Sequence, residues 1–295
     1  MNKNLKNTIA IAVLLFSSTI VVGQNTLQLG LLSTFDAYTH IGAVTTTGGT
    51  FNNDVGTNDG TITNTGGTIS GTQYSNDATT IQCRADLLKV YIHLTDIFVT
   101  NPNTPLGPAF GAAAGGDTLN PGVYSVNGSG SVNDNLYLDG GGNSQSVFIL
   151  KFDGAFSVDA AAKIYMIRSA REENIYWIAE GGITVGAGCQ VAGTLIAHPG
   201  VISVSTGCTI EGRLLSTEGA ISIGTGTTST AATGNINIPI GFSSSRATAS
   251  DVDVLGSVED FAMFSSIAYV SNAATSGFIG DIGTNSAAAT STSVT

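Results

Sequence analysis

The residues in this chain best placed to do chemistry are threonines. Thr206-Gly-Cys-Thr209 and Thr225-Gly-Thr-Thr228 stand in nineteen-residue register, and two Thr-Gly-Gly-Thr units, Thr47 to Thr50 and Thr65 to Thr68, stand eighteen residues apart. One period before Thr206 the same positions read Ala187-Gly-Cys-Gln190, so the array starts incompletely. Threonine sets a hydroxyl that donates and accepts hydrogen bonds beside a methyl group that orders water over a shallow apolar surface. Its β-branching leaves few χ1 states, so docking it loses little rotamer entropy. That is a chemistry of adsorption, with no bond made or broken. One geometric difficulty stands: residues three apart point to opposite sides of a regular strand. Thr206 and Thr209 therefore share a face only if the glycine between them bends the chain. A rival outward row, Thr184, Ser203 and Ser222, obeys strict alternation between inward Ile and Val and is the second choice.

Bond-making chemistry has less support. A groove enzyme needs carboxylates or bases converging on one point. Asp139, Lys151, Asp153, Arg168, Glu172, Glu173, Glu180, Glu211 and Glu218 form no pair that recurs at the repeat spacing. The nucleophile pattern Gly-x-Ser-x-Gly occurs only truncated, at Gly128-Ser-Gly-Ser-Val132. His40, His93 and His198 are scattered and no Cys-x-x-Cys is present, so the chain implies no metal site and no cofactor. Of the three cysteines, Cys189 and Cys208 hold the same repeat position. Direct stacking would permit a bridge, but the preferred reading is two small buried core residues, with Cys83 on a helix.

These side chains need a repeating frame. Ile183-Thr-Val, Ile202-Ser-Val and Ile221-Ser-Ile return every nineteen residues. Short β-branched strands at this period, separated by glycine, predict a parallel β-solenoid with like residues stacked about 4.8 Å apart. The span from Leu29 to Gln73, Thr/Gly/Asn-rich with single apolar residues, reads as further short strands. Between Asn76 and Thr100, Ile81, Ala85, Leu88 and Ile92 recur at helical spacing and predict one long helix laid along the core with that stripe inward. Ser75 or Asn76 can cap it, and Asn101-Pro102 ends it.

The ends carry other messages. Lys3 and Lys6, an uncharged run from Thr8 to Val22, and Gly23 before Gln24 read as a secretory signal peptide over residues 1–23, leaving an exported chain with no membrane-inserted segment. A net charge of −11 with 11% charged residues argues against nucleic acid as a partner. The repeating domain is expected over 24–240 and a polar linker over 241–250. Leu255-Gly256, Phe261, Ile267, Val270 and the run from Phe278 to Asn285 then match Leu29-Gly30, Phe35, Ile41, Val44 and the run from Phe51 to Asn58 with one inserted residue. Residues 251–295 thus read as the truncated start of a second tandem copy.

Leu119-Asn-Pro-Gly-Val-Tyr124, Leu136-Tyr-Leu-Asp-Gly-Gly-Gly142, Val147-Phe-Ile-Leu150, Asn174-Ile-Tyr-Trp177, Gly193-Thr-Leu-Ile-Ala197, Gly212-Arg-Leu-Leu-Ser216 and Gly219-Ala-Ile-Ser-Ile223 together resemble the microbial ice-binding protein family of discontinuous β-solenoids, the DUF3494 type. The resemblance covers roughly Leu29 to Ile240. It implies a mostly β fold, a right-handed parallel β-helix of triangular section with one long α-helix packed alongside and N-terminal strands interleaved with C-terminal rungs. It implies an ice crystal surface as partner, met by a flat Thr-rich face. Several members carry Thr-(Ala/Gly)-x-(Thr/Asn) there, which maps onto Thr206, Thr209, Thr225 and Thr228, with Thr47, Thr50, Thr65 and Thr68 as the N-terminal counterparts. The expected function is secreted ice binding, without enzyme activity. The alternative is an extracellular adhesin or matrix module on the same scaffold, and a carbohydrate-acting enzyme ranks below both.

Overall fold

A computed structural model describes residues 26–27, 29–97, 99–100, 109–110, 116–232 and 236–237, together with four short strands between 261 and 291. The expected leader, 1–23, and the expected linker, 241–250, lie outside the described residues.

Three eight-stranded parallel sheets form the body. Each coil of chain contributes one strand to each, as the nineteen-residue period requires. The first sheet runs, in spatial order, through Gly122–Val126, Phe148–Phe152, Ile175–Ala179, Thr194–Ala197, Leu214–Ser216, Phe35–Ile41, Asp54–Asp59 and Gln73–Ser75. The second runs from Ala109–Phe110 through Gly130–Val132, Phe156–Val158, Ile183–Val185, Ile202–Val204, Ile221–Ile223 and Val44–Thr46 to Ile62–Asn64. The third runs from Asp117–Leu119 through Asn135–Asp139, Lys163–Ile167, Gln190–Ala192, Thr209–Glu211, Thr228–Thr230 and Thr50–Phe51 to Thr68–Ile69. In every sheet the first coils of the chain are stacked on its last rung. Leu214 lies opposite Ala37, Ile221 opposite Val44 and Thr228 opposite Thr50.

Side-chain ladders explain why the coils close. Phe156, Ile183, Ile202, Ile221, Val44 and Ile62 stack in one file of the second sheet. All but Ile62 are fully buried, and each buried aliphatic of this size is worth about 1.5–3 kcal/mol. Trp177 stacks on Phe156 at 5.1 Å and donates its indole N–H to the Ala192 carbonyl at 2.9 Å. Corners are held by inward donors. Where the first sheet turns into the second, Ser216, Thr39 and Thr57 donate to the Gly200, Gly219 and Gly42 carbonyls of the preceding coil, each at 2.7 Å. Where the second turns into the third, Cys189 and Cys208 donate to the Asp159 and Gly186 carbonyls at 3.0 Å, and Thr227 does the same to Ser205. The three cysteines are free thiols. Burial pushes the Cys189 thiol up to about 11 and Cys83 up to about 12, so neither ionises at ordinary pH.

The helix, α1, spans Ala78–Asp96. Asp77 caps it, instead of Ser75 or Asn76: its carboxylate accepts from the Thr80 N–H at 2.8 Å while Thr80 Oγ1 accepts from the Asp77 N–H at 3.0 Å. Asn76 sits at φ 53 and serves the turn before the cap. The helix ends at Asp96, before Asn101-Pro102, and Lys151 of the first sheet donates to the Thr95 and Ile97 carbonyls at 2.6 and 2.5 Å. Its buried face is Cys83, Leu87, Val90 and Leu94, packed on Val123, Ile149, Tyr176, Ile178, Ile196 and Leu215. The expected inward stripe points the other way, with Ile81 62% and Leu88 44% exposed. Both sides of α1 carry apolar residues at helical spacing, so periodicity admits two orientations. The anchors that accompany the adopted one are the Lys151 clamp, the Tyr38 hydroxyl donating to the Thr80 carbonyl at 2.7 Å, and Asp86 accepting from the Leu31 N–H at 3.0 Å.

Candidate functional site

The third sheet and the corner leading into it gather the eight threonines. Thr209 lies opposite Thr228, Thr228 opposite Thr50 and Thr50 opposite Thr68. Residues more than 150 apart in sequence thus form one file, four rungs long, about 14 Å at the usual strand spacing. Thr209, Thr228 and Thr68 are exposed and Thr50 is half-buried. Upstream the file continues as Gln190 and Lys163, so the threonine stretch occupies one end of the sheet.

Thr206 and Thr225 do not share a face with Thr209 and Thr228. They occupy the turn between the second and third sheets, and the glycine after each, Gly207 at φ 69 and Gly226 at φ 70, redirects the chain. The i, i+3 difficulty is thereby resolved: the first threonine marks the edge and the second opens the next face. Thr47 and Thr65 lie in the equivalent turns of the N-terminal coils, and all four edge threonines are exposed. Thr225 Oγ1 donates to the Thr47 carbonyl at 2.7 Å, tying the last rung to the first coil at this edge.

The rival row is on the second sheet and is longer than expected. Ser131, Ser157, Thr184, Ser203, Ser222, Thr45 and Thr63 stand opposite one another in unbroken sequence. Seven rungs span about 29 Å, and no charged side chain interrupts the file. Ser131, Ser157, Thr45 and Thr63 were not legible as members from the three nineteen-residue repeats alone. They come from coils of other lengths, and only the strand register aligns them.

Charged groups are committed elsewhere. Tyr91 donates to Glu180 at 2.6 Å, Arg168 pairs with Asp139 at 3.1 Å and Arg171 with Glu173 at 3.4 Å. Lys151 holds the end of α1, and burial lowers its pKa to about 8. Arg213 is fully buried beneath the segment before Phe35 and donates to the Ser33 carbonyl at 3.0 Å and to the Ala232 carbonyl. Among the described residues, Glu211 is the one carboxylate on the threonine end of the third sheet, opposite Thr230. Among the described residues no three His, Cys, Asp or Glu side chains come together to hold a metal ion, and no helix is long and apolar enough to cross a membrane.

Comparison with known proteins adds an independent line. Residues 22–237 match the family model described as ice-binding-like. An ice-binding protein, K3-B1, of Typhula ishikariensis is 30% identical over 105 residues, 34% of this chain and 42% of that protein, so the match spans less than half the relative's length. The crystal structure of an ice-binding protein from Antarctomyces psychrotrophicus aligns over 71% of this chain and 100% of its own, at 27% identity and a TM-score of 0.64. That of an ice-binding protein from an Antarctic bacterium, Flavobacteriaceae, aligns over 90% of this chain and 60% of its own, at 33% identity and a TM-score of 0.63.

Proposed function

This chain belongs to the ice-binding-like family, and on that premise we propose that it is a secreted protein that adsorbs to ice through the third sheet and its leading edge. The face consists of Thr209, Thr228, Thr50 and Thr68, with Thr206, Thr225, Thr47 and Thr65 along the edge. The observation that carries this reading is the single file formed by threonines from the two ends of the domain. Rung spacing of about 4.8 Å sets the hydroxyls and methyls of the file at a regular interval. Each contact is weak, but a rigid file makes them together, and the ordering entropy is already spent in folding. The role is binding, in keeping with the family, with no catalytic step.

The seven-rung row supports a second reading, in which the second sheet is the ice face. It is longer and its file is uncharged. The third sheet is preferred because four of those seven residues are serines, which lack the methyl group that both orders water and stiffens χ1.

The test is thermal hysteresis and ice-recrystallisation inhibition of the full chain beside Thr209→Tyr, Thr228→Tyr and Ser203→Tyr, with circular dichroism to confirm that each variant is folded. Loss in the two threonine variants alone is the expected result. Loss in Ser203→Tyr alone moves the face to the second sheet. A folded wild-type chain with no activity on ice refutes both readings and turns attention to adhesion.

A further inference from the structure

Buried polar atoms gather where the last rung meets the first coil. Among the described residues, six buried side-chain oxygen or nitrogen atoms have no hydrogen-bond partner within the protein, and four of them belong to three residues: Thr194 Oγ1, Arg213 Nε and Nη1, and Asp36 Oδ1. These residues sit side by side. Leu195 lies opposite Leu214 and Leu214 opposite Ala37. Thr194, Arg213 and Asp36 immediately precede them on three neighbouring strands of the first sheet, and each is fully buried. Buried polar groups in folded proteins nearly always find partners, and one left without loses its hydration for nothing in return. Four at one place call for a common partner.

The rest of these side chains is engaged. Arg213 Nη2 donates to the Ser33 carbonyl before the first coil and to the Ala232 carbonyl after the last rung. Asp36 Oδ2 accepts from the Asn53 N–H at 2.9 Å, and Asn53 Oδ1 accepts from the Ala231 N–H at 3.3 Å. The guanidinium and the carboxylate feel each other's charge, yet among the described residues ion pairs join only Arg168 to Asp139 and Arg171 to Glu173. Burial pushes the Asp36 carboxyl up to about 6, against the pull of the Asn53, Ala231 and Asn52 N–H groups and of Arg213. Near neutral pH the two residues are therefore an oppositely charged couple held apart. Because their charges offset, a bound ion of either sign would add a buried charge with no counterpart. The partner must be neutral and small. It must accept from two guanidinium N–H groups and donate to a carboxylate oxygen.

We propose that Thr194, Arg213 and Asp36 form an internal water site, in which a bound water accepts from Arg213 Nε and Nη1 and donates to Asp36 Oδ1 and Thr194 Oγ1. The count closes, since the four unpartnered atoms match the two to four hydrogen bonds that a buried water makes. A water-mediated bond is nearly as favourable as a direct one, so the separated charges become a bridged pair. The bridge links Ser33 and Ala232, held by Arg213, to Asn53 and Ala231, held through Asp36. It closes the junction beside the pairing of Thr228 with Thr50. The two ends of the domain are thus clasped by a hydrated charge pair as well as by apolar packing.

The experiment is a high-resolution crystal structure of the full chain, with a bromide soak, together with proton exchange measured by NMR at the Arg213 Nε–H in wild type and in Thr194→Val. The expected result is an ordered water about 2.7–3.2 Å from Arg213 Nε or Nη1 and from Asp36 Oδ1. Thr194→Val keeps the branched shape and removes the oxygen that helps to hold the water. It should speed exchange at the Arg213 Nε–H roughly tenfold, while the Trp177 indole N–H, bonded to the Ala192 carbonyl, exchanges as in wild type. Bromide in place of the water, a direct contact between the Arg213 guanidinium and the Asp36 carboxylate, or equal Arg213 exchange in the two proteins each overturns the proposal.

Discussion

Replacing Gly207 by alanine separates the two things a glycine can do in this solenoid. Gly207 has φ +69, and a Cβ built on it would lie 4.0 Å from Gly188 Cα and N, ordinary contact. The substitution therefore costs only the left-handed backbone, about 1–2 kcal/mol for an L residue, offset by about 0.4–1 kcal/mol from a less flexible unfolded chain. The net is about 0–1.6 kcal/mol. Ala161, at φ 65, shows that this corner accepts a methyl: its N–H bonds the Ala187 carbonyl, in the turn of the next coil, at 2.8 Å. Gly212 is the contrast. Its φ is +155, and a Cβ there would lie 1.9 Å from the Gly193 carbonyl oxygen, so neighbouring coils must separate. Overpacking of about 1–3 kcal/mol adds to backbone strain of similar size. For a domain of this size, 1 kcal/mol moves Tm by about 2–4 °C. Gly207→Ala should thus melt no more than about 6 °C below wild type by circular dichroism, and Gly212→Ala about 10 °C below or not fold. Gly207→Ala should also keep the proposed activity on ice, because Thr206 and Thr209 stay in place. Equal destabilisation by the two substitutions would refute the argument that rung-to-rung clearance, and not φ alone, decides which glycines are replaceable.

Other consequences follow from the same contacts. Lys151→Met keeps the stem but strands two carbonyls at the end of α1, for a loss of about 1–3 kcal/mol seen as faster exchange in the last turn. Because the folded pKa of Lys151, about 8, lies below its ordinary value of 10.5, folding disfavours its charged form. The resulting penalty is complete below about pH 8 and fades as pH rises towards 10.5, so the stability gap between wild type and Lys151→Met should widen over that window. A gap that narrows there would contradict the assignment. Cys208→Thr should be nearly neutral, since Thr227 does the same work one rung on, whereas Cys208→Val should cost about 1–3 kcal/mol by leaving the Gly186 carbonyl without its donor; chemical melts of the two variants decide. Native protein at pH 8 should resist thiol reagents at Cys83 and Cys189 until unfolded.

The division between what was readable in the chain and what was not follows the range of the forces. Period, strand positions and the inward Ile and Val files were legible because stacked coils repeat the same local environment every nineteen residues. The difference between open and covered sheets was also written locally. Alternating Ile-Ser-Val segments face water on one side, while Ile175–Ala179, buried throughout, lies between the core and α1. The orientation of α1 was not legible, because both its sides are apolar and distant partners such as Lys151 accompany the one adopted. The proposed ice face was half legible. Residue types and spacing marked Thr206, Thr209, Thr225 and Thr228 as a set, and Thr47, Thr50, Thr65 and Thr68 as another. That Thr209 and Thr228 of one set form one file with Thr50 and Thr68 of the other follows only from the first coil docking on the last rung, a contact between segments some 180 residues apart that no local pattern encodes. Edge and face were separated by tertiary structure too, because a positive φ at Gly207 and Gly226 turns the chain between threonines that a regular strand would have placed on opposite sides.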